Sequence, residues 1–385
     1  EGAVSLSIPA SQAFEWTGGM AGAADGAGPE NTTAKAFVDF QHDVTAKDIR
    51  LAVREGMHSI EHIKRFTTNG MATDQGKLSN IHGLAIAAES LGKPIPEVGL
   101  TTFRAPYTPV TFGAIVNHAR GPLFDPARKT PMHRWHEEHG ALFEDVGIWK
   151  RAWFYPRPGE DMHQAVNREC KTVRTVAGVF DASTLGKIEV IGPQAAEFLD
   201  FIFYNTVSTL KPGKCRYCFI LTESGIVYDD GVLVRLADDH FVVSCSSSHV
   251  AGVYSMLEDW RQDRFDRTKV FIHNATTNYV TLTVTGPKSR DVISAAALGI
   301  VLDDATLPHM SIAHGAFRED PVRVARVSFT GDRSYEISIR ADKAESLWRH
   351  IRTIGRQFNA SLLGSEALLL LRAEKGYIIV GKDTD

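Results

Sequence analysis

Two adjacent acids, Asp229 and Asp230, stand at the mouth of a strand-like run, Gly231-Val-Leu-Val-Arg-Leu236, just after the turn-forming Glu223-Ser224-Gly225. In an extended chain neighbouring side chains point to opposite faces, so the two carboxylates cannot share one job. One is expected to face the body of the domain, where a carboxylate must be hydrogen-bonded or paired, and the other to face solvent. Such a pair either polarises a turn or holds a proton beside a reacting group, and the spacing alone does not choose.

Two other clusters invite chemistry. Cys215 and Cys218 spell C-R-Y-C, a spacing used by redox pairs and zinc knuckles, yet they lie in the strand-like KCRYCFIL, where positions three apart fall on opposite faces. A second ligand pair at zinc spacing is missing, so no metal is expected, and Cys170, Cys215, Cys218 and Cys245 are read as free thiols of a cytoplasmic protein. In PMHRWHEEHGA the histidines His133, His136 and His139 miss the H-E-x-x-H spacing by one residue. At steps of three they bring at most two imidazoles together, and a surface or interface position is expected for them.

The elements that must position these residues follow from length and pattern. A chain of 385 residues with 43% apolar content has room for two or three soluble domains. No apolar run approaches the eighteen residues of a membrane span. The net charge of −4 argues against nucleic acid as the main partner. The chain opens at Glu1 without a signal sequence and reads as a piece of a longer protein.

Residues 1–33 have the Gly/Ala-rich composition of a linker. Residues 34–92 read as a small helical module: a short strand at Ala36-Phe-Val-Asp-Phe40, a helix capped by Thr45 with Asp48 answering three residues on, then helices through Ile60 and Ile63 and through Ile81 to Leu91. Residues 93–140, punctuated by prolines from Pro94 to Pro131, read as an ordered surface connector. From residue 141 to 385 the pattern is α+β. Ile188 to Leu199 and Thr281 to Ile293 each read as strand, Gly-Pro corner and helix, and a later hairpin and helix follow each, which implies two pseudo-repeated α/β halves around a ligand-sized cleft.

The segments FDASTLGKIEVIGPQAAEFLD, YNTVSTLKPGKCRYCFILTESGIVYDDGVLV, VSFTGDRSYEISI and LRAEKGYIIVGKDTD together resemble the folate-binding aminomethyltransferase fold of glycine-cleavage T-protein. Taken with the helical module, VTAKDIRLAVREGMHSIEHIKRFTTNGMATDQGK, they are similar to the C-terminal portion of the alpha subunits of heterotetrameric sarcosine oxidase. The module resembles ferredoxin-like segments that hold an iron–sulfur cluster, but no cysteine occurs between Glu1 and Glu169, so a docking role is expected for it.

The resemblance implies an enzyme in which sarcosine is oxidised to glycine and this region transfers the released one-carbon unit to tetrahydrofolate, giving 5,10-methylenetetrahydrofolate. It places the catalytic aspartate, the second acid of G-x-x-x-D-D, on Asp230. It places the pterin-binding glutamate of T-G-x-x-x-x-E-I on Glu336. One carboxylate can accept from two adjacent pterin donors, and an aspartate beside the reacting nitrogens can relay a proton. Phe329 stands where the family pattern carries a hydroxylated aromatic, Leu368 where it offers an arginine, and the chain ends at Asp385, before the family's C-terminal barrel.

No G-x-G-x-x-G follows a strand, so NAD and flavin are expected in the full assembly but not on these residues, with a flavin-bearing subunit among the partners. The alternatives are a free-standing aminomethyltransferase of glycine cleavage, against which the helical module speaks, and a non-catalytic scaffold of the same fold. Related iron–sulfur assembly proteins carry a cysteine after K-G, where this chain has Tyr377.

Overall fold

The computed structural model describes residues 35–105, 108 and 110–384, so the Gly/Ala-rich residues 1–33 lie outside it. The chain divides into two compact units, residues 1–124 and 125–385. Among the described residues no helix is long and apolar enough to cross a membrane.

In the first unit β1 (Phe37–Asp39) pairs antiparallel with β2 (Val44–Thr45), and α1 (Ala46–Arg54) starts at once. The Thr45 hydroxyl accepts from the Asp48 amide while the Asp48 carboxylate accepts from the Thr45 amide, which satisfies two otherwise orphaned donors. Helices α2 (Ile60–Thr67) and α3 (Asn80–Leu91) bury Ile63, Leu84 and Ile86 with Ile49 of α1. Two short helices, α4 (Ile95–Val98) and α5 (Phe112–Val116), follow.

The second unit starts earlier than the sequence pattern suggests. Residues 125–140, read as part of the connector, contribute β3 (Arg128–Lys129) and α6 (His133–Glu138), and Met132, Trp135 and His136 are buried in the unit. The nearby prolines do not offset the apolar surface that Met132 and Trp135 gain by burial. β4 (Leu142–Val146) and β5 (Trp149–Phe154) complete a small sheet in the order β3-β5-β4.

After α7 (Met162–Thr175) come β6 (Gly178–Asp181) and β7 (Gly186–Ile191), then α8 (Ala195–Ile202), β8 (Lys214–Leu221), β9 (Val227–Ala237), β10 (His240–Cys245), α9 (Val250–Arg264) and β11 (Phe271–Asn274). A second run of similar order follows: β12 (Tyr279–Thr285), α10 (Ser289–Ala295), β13 (Ser311–Phe317), β14 (Asp320–Arg326), β15 (Ser334–Arg340) and α11 (Ala344–Gln357), closed by β16 (Ser361–Leu362) and α12 (Ser365–Lys375). These strands form one sheet in the order β11-β7-β10-β9-β8-β13-β14-β15-β12-β6-β16. Both Gly-Pro corners demand glycine for the same reason: a Cβ on Gly192 would lie 2.2 Å from the Lys269 carbonyl oxygen, and one on Gly286 2.6 Å from that of Val173.

One face of the sheet is covered by helices. Phe198, Leu199, Val253 and Leu257 pack on Ile188, Val190 and Leu233, while Val292, Leu347, Trp348 and Ile351 pack on Leu282, Ile337 and Ile339. The register decides what the other face carries, because directly paired residues point the same way. The pairs Phe219 with Asp230, Ala325 with Glu336, Glu336 with Thr283, Ser244 with Lys187 and Val242 with Glu189 put Asp230, Glu336, Lys187 and Glu189 together on that face.

The sheet also curls. β7 and β14 lie five strands apart, roughly 24 Å in a flat sheet, yet Glu189 of β7 and Arg323 of β14 approach to 3.8 Å. The chain closes the curl: β6 and β7 stand eight strands apart in the sheet order, yet only residues 182–185 join them, and the Lys187 ammonium on β7 donates to the Ser183 carbonyl of that link at 3.0 Å. The polar face therefore lies inside.

Candidate active site

Strand alternation separates the two acids as expected. Asp229 points to the helix-covered face, is fully buried, and accepts from the Ser246 amide at 3.0 Å and the Ser246 hydroxyl at 2.6 Å, with His249 Nδ1 3.7 Å away. Its acceptor positions are taken by the protein, which makes it a fixed part of the fold. Asp230 points to the inner face. It is half-buried there, so neither acid of the pair faces open solvent, because the curl of the sheet covers that face too.

The Tyr217 hydroxyl donates to Asp230 across the β8–β9 pair. Burial raises the proton affinity of Asp230, and the neighbouring charge of Asp229 adds to it, while the hydrogen bond from Tyr217 opposes. Burial and the same hydrogen bond push the Tyr217 hydroxyl up in turn. Asp230 thus holds a proton more readily than an ordinary aspartate does.

Glu336 sits mid-strand on β15, between Ala325 and Thr283. Desolvation inside the curl raises its carboxyl to about 7, against a smaller opposing pull from Lys187. No hydrogen bond or salt bridge to its carboxylate is found among the described residues. The side chain is half-buried and its carboxylate oxygens keep access to the space inside the curl, so their acceptor positions are open to an incoming donor.

Lys187 supplies the nearby positive charge. Its ammonium is buried and donates to the carbonyl oxygens of Ser183 at 3.0 Å and Leu185 at 2.8 Å. Burial lowers it to about 8, opposed by the charges of Asp181 and Glu336. Lys187 and Glu189 alternate with apolar residues in GKIEVI, so a charged strand face was readable in the sequence, although neither residue was singled out by it.

Other groups sort differently. Asp181, buried, accepts from Thr130 at 2.7 Å and meets His136 Nε2 at 3.2 Å, and His136 Nδ1 meets the Tyr155 hydroxyl at 2.8 Å. His133 and His136 are therefore interior residues, not surface ones, and His139 stacks on Trp135 with ring centroids 3.7 Å apart. Cys215 joins the inner-face cluster with Ala325 and Val327, whereas Cys218 lies among the helix-covered core, so the two thiols face away from each other. Among the described residues no three His, Cys, Asp or Glu side chains converge as metal ligands do. A depression of about 600 Å³ lined by Phe201, Tyr204, Tyr228 and Trp260 opens beside the 222–226 turn, away from Glu336.

Residues 132–385 match the family of the GCVT N-terminal domain, and residues 33–118 match the sarcosine oxidase A3 domain. The chain is 45% identical over 351 residues to the sarcosine oxidase subunit alpha of Corynebacterium sp. (strain P-1), covering 91% of this chain and 36% of that one. It is 32% identical over 269 residues to the aminomethyltransferase of Corynebacterium jeikeium (strain K411), covering 66% of each. Among solved structures, the glycine cleavage system aminomethyltransferase T from Bartonella henselae superposes with a TM-score of 0.58 at 26% identity, covering 67% of this chain and 65% of that one. The chain spans about a third of the length of the sarcosine oxidase subunits it matches. It belongs to the family of the glycine-cleavage T-protein N-terminal domain.

Proposed function

We propose that this member of the T-protein family binds tetrahydrofolate on the inner face of its curled sheet and transfers a one-carbon unit to it, as part of a sarcosine oxidase alpha subunit. In that reading the assembly oxidises sarcosine to glycine in the cytoplasm, with NAD and flavin held outside these residues and a flavin-bearing subunit among its partners. The match of residues 33–118 to the sarcosine oxidase A3 domain favours this over a free-standing aminomethyltransferase. The two halves are read as repeats of one unit; the matching order of β7-β10-β9-β8 and β12-β15-β14-β13 supports that.

The observation that carries the proposal is the Glu336 carboxylate, half-buried on the inner face of the sheet and, among the described residues, without a donor from the protein. A pterin ring presents adjacent N–H and amino donors, which fit one carboxylate as a charge-assisted pair. Folate supplies the nitrogens that capture the one-carbon unit. Asp230, its proton affinity raised and its carboxylate steadied by Tyr217, would hold and return a proton at those nitrogens. Asp229 remains a structural neighbour, bound to Ser246.

The test is calorimetric titration of the full-length assembly with 5-formyltetrahydrofolate. Glu336→Gln keeps the size but sets an amide donor against a pterin donor, so affinity is expected to fall by about 2 kcal/mol or more, the scale of a lost charged hydrogen bond. Equal affinity in wild type and a folded Glu336→Gln protein would overturn the assignment.

A further inference from the structure

The helix-covered side of the first run of strands carries an opening that the inner-face site does not use. The backbone after α8 is pinned to β8: Phe203 bridges Ile220, the Tyr204 amide donates to the Phe219 carbonyl at 3.0 Å, and the Phe219 amide donates to the Asn205 side-chain oxygen at 3.0 Å. The register of β8 with β9 shifts between Ile220 and Leu221, so that Val227 stands opposite Leu221 and Asp229 opposite Ile220. The extra residue, Tyr228, carries its ring toward α9 and lies directly over Gly252, where a Cβ would have no room. On α9 Met256 and Trp260 are four residues apart and share a face.

These elements leave between them a depression of about 600 Å³, a volume that suits a small molecule. Its walls are rings. Phe201 meets Trp260 edge to face with centroids 5.2 Å apart, Tyr228 is backed by the His249 ring at 5.9 Å, and Tyr204 is 76% exposed. In the second run of similar order the residues that follow α10 do the opposite, Leu298 and Ile300 packing into the core with Val292 and Leu347. Among the described residues, Glu223 alone brings a charge to the lining, and no partner hydrogen-bonds or pairs with its carboxylate. The adjacent Thr222 hydroxyl is already engaged by the Ser224 hydroxyl at 2.9 Å and the Ile226 amide at 3.1 Å.

We propose that this depression binds a small cation whose nitrogen carries methyl groups. The electron-rich rings of Phe201, Tyr204, Tyr228 and Trp260 attract a positive charge, and the exposed Glu223 carboxylate adds the opposite charge beside them. A bare ammonium is strongly hydrated and needs acceptors in place of its water, of which the lining keeps few free. Methyl groups replace those donors and lay apolar surface on the rings, so a methylated ion gives up less on leaving water. Glu223 then selects the cation over a neutral group of the same shape. The proposal stands apart from the folate reading, since neither Glu336 nor Asp230 lines the depression.

The experiment titrates the full-length assembly calorimetrically with choline and with its neutral isostere 3,3-dimethylbutan-1-ol, at constant ionic strength. Wild type should bind choline roughly five- to thirtyfold more tightly than the alcohol, the scale of a cation held against partly desolvated rings. Tyr204→Ala and Trp260→Leu should each weaken choline about fivefold, and Glu223→Gln should weaken it roughly two- to fivefold while leaving the alcohol unaffected. Circular dichroism checks folding, and Tyr204→Ala, which removes an exposed ring, keeps the test open if Trp260→Leu fails to fold. Equal affinity for choline and the alcohol would reduce the depression to an apolar surface and overturn the proposal. Choline binding that ignores the ring substitutions would place the cation elsewhere in the assembly and overturn it too, as would a wild type that binds no choline.

Discussion

Glu169 and Glu336 are two carboxylates that desolvation raises to the same place, about 7, and the fold treats them in opposite ways. Glu169 of α7 is fully buried and bridges two separate strands of chain, accepting from the Tyr155 amide at 2.9 Å and the Gly364 amide at 2.8 Å. Glu336 is half-buried on the inner sheet face, with no donor from the protein among the described residues. A raised proton affinity does not tell the two apart, whereas the open acceptor positions of Glu336 are what the proposed pterin contact requires and Glu169 lacks. The same contrast sorts the adjacent acids, since Asp229 is saturated by Ser246 while Asp230 has one donor, Tyr217, and faces the interior of the curl.

Replacing Asp230, the member of the aspartate pair to which the proposal gives a proton to hold, should have the largest effect. Asp230→Ala is expected to lower the yield of methylenetetrahydrofolate by about 10²-fold, the scale of lost acid–base catalysis, while sarcosine consumption continues and the carbon leaves as formaldehyde. Product partition measured by chromatography checks this, and an unchanged partition would return Asp229 to consideration.

Breaking the structural member of the glutamate pair should act on stability instead. Glu169→Gln loses one acceptor oxygen and places an amide donor against a backbone donor, costing about 1–3 kcal/mol in denaturant unfolding, with folate affinity retained by the folded protein. The pH dependence separates the cause further. The folded-state value of Glu169, about 7, lies above its ordinary 4.5. The native state binds the proton more tightly there, and the residue's contribution to stability falls as pH rises between those values. Glu169→Gln should flatten that part of the stability profile.

These distinctions were only partly legible in the sequence. Alternation placed Asp229 and Asp230 on opposite faces and separated Cys215 from Cys218, and Thr45 with Asp48 announced the first helix, because each depends on neighbours within one element. The Gly-Pro corners and the paired strand–helix patterns were legible for the same reason. The partners of Glu169 and Asp181 were not, because they depend on which distant segments meet: Gly364 lies 195 residues beyond Glu169, and Asp181 reaches Thr130 across 51. Nor does any local pattern tell that a sheet will curl until Glu189 meets Arg323, which is why one acid of the aspartate pair was expected in solvent and Lys187 went unremarked.

Two smaller perturbations sharpen the account. Lys187→Met removes the cation that favours the charged form of Glu336, so the pH at which folate binding reaches half its maximum should move upward; a shift downward or none would separate the two residues. Cys215→Ser with Cys218→Val should leave metal content and product partition unaltered, since the two side chains belong to clusters on opposite faces of β8. Stoichiometric zinc lost on that substitution would contradict the placement.

The central claim, that the half-buried carboxylate of Glu336 is the group that receives the pterin, is tested most directly by calorimetric affinity for 5-formyltetrahydrofolate as a function of pH. If the ionised carboxylate is the acceptor and its free-state value is about 7, affinity should rise about tenfold between roughly pH 6 and roughly pH 8. In Glu336→Gln it should be weak and flat across the same range. A wild-type affinity that ignores pH, or a variant that keeps the wild-type slope, would contradict the account.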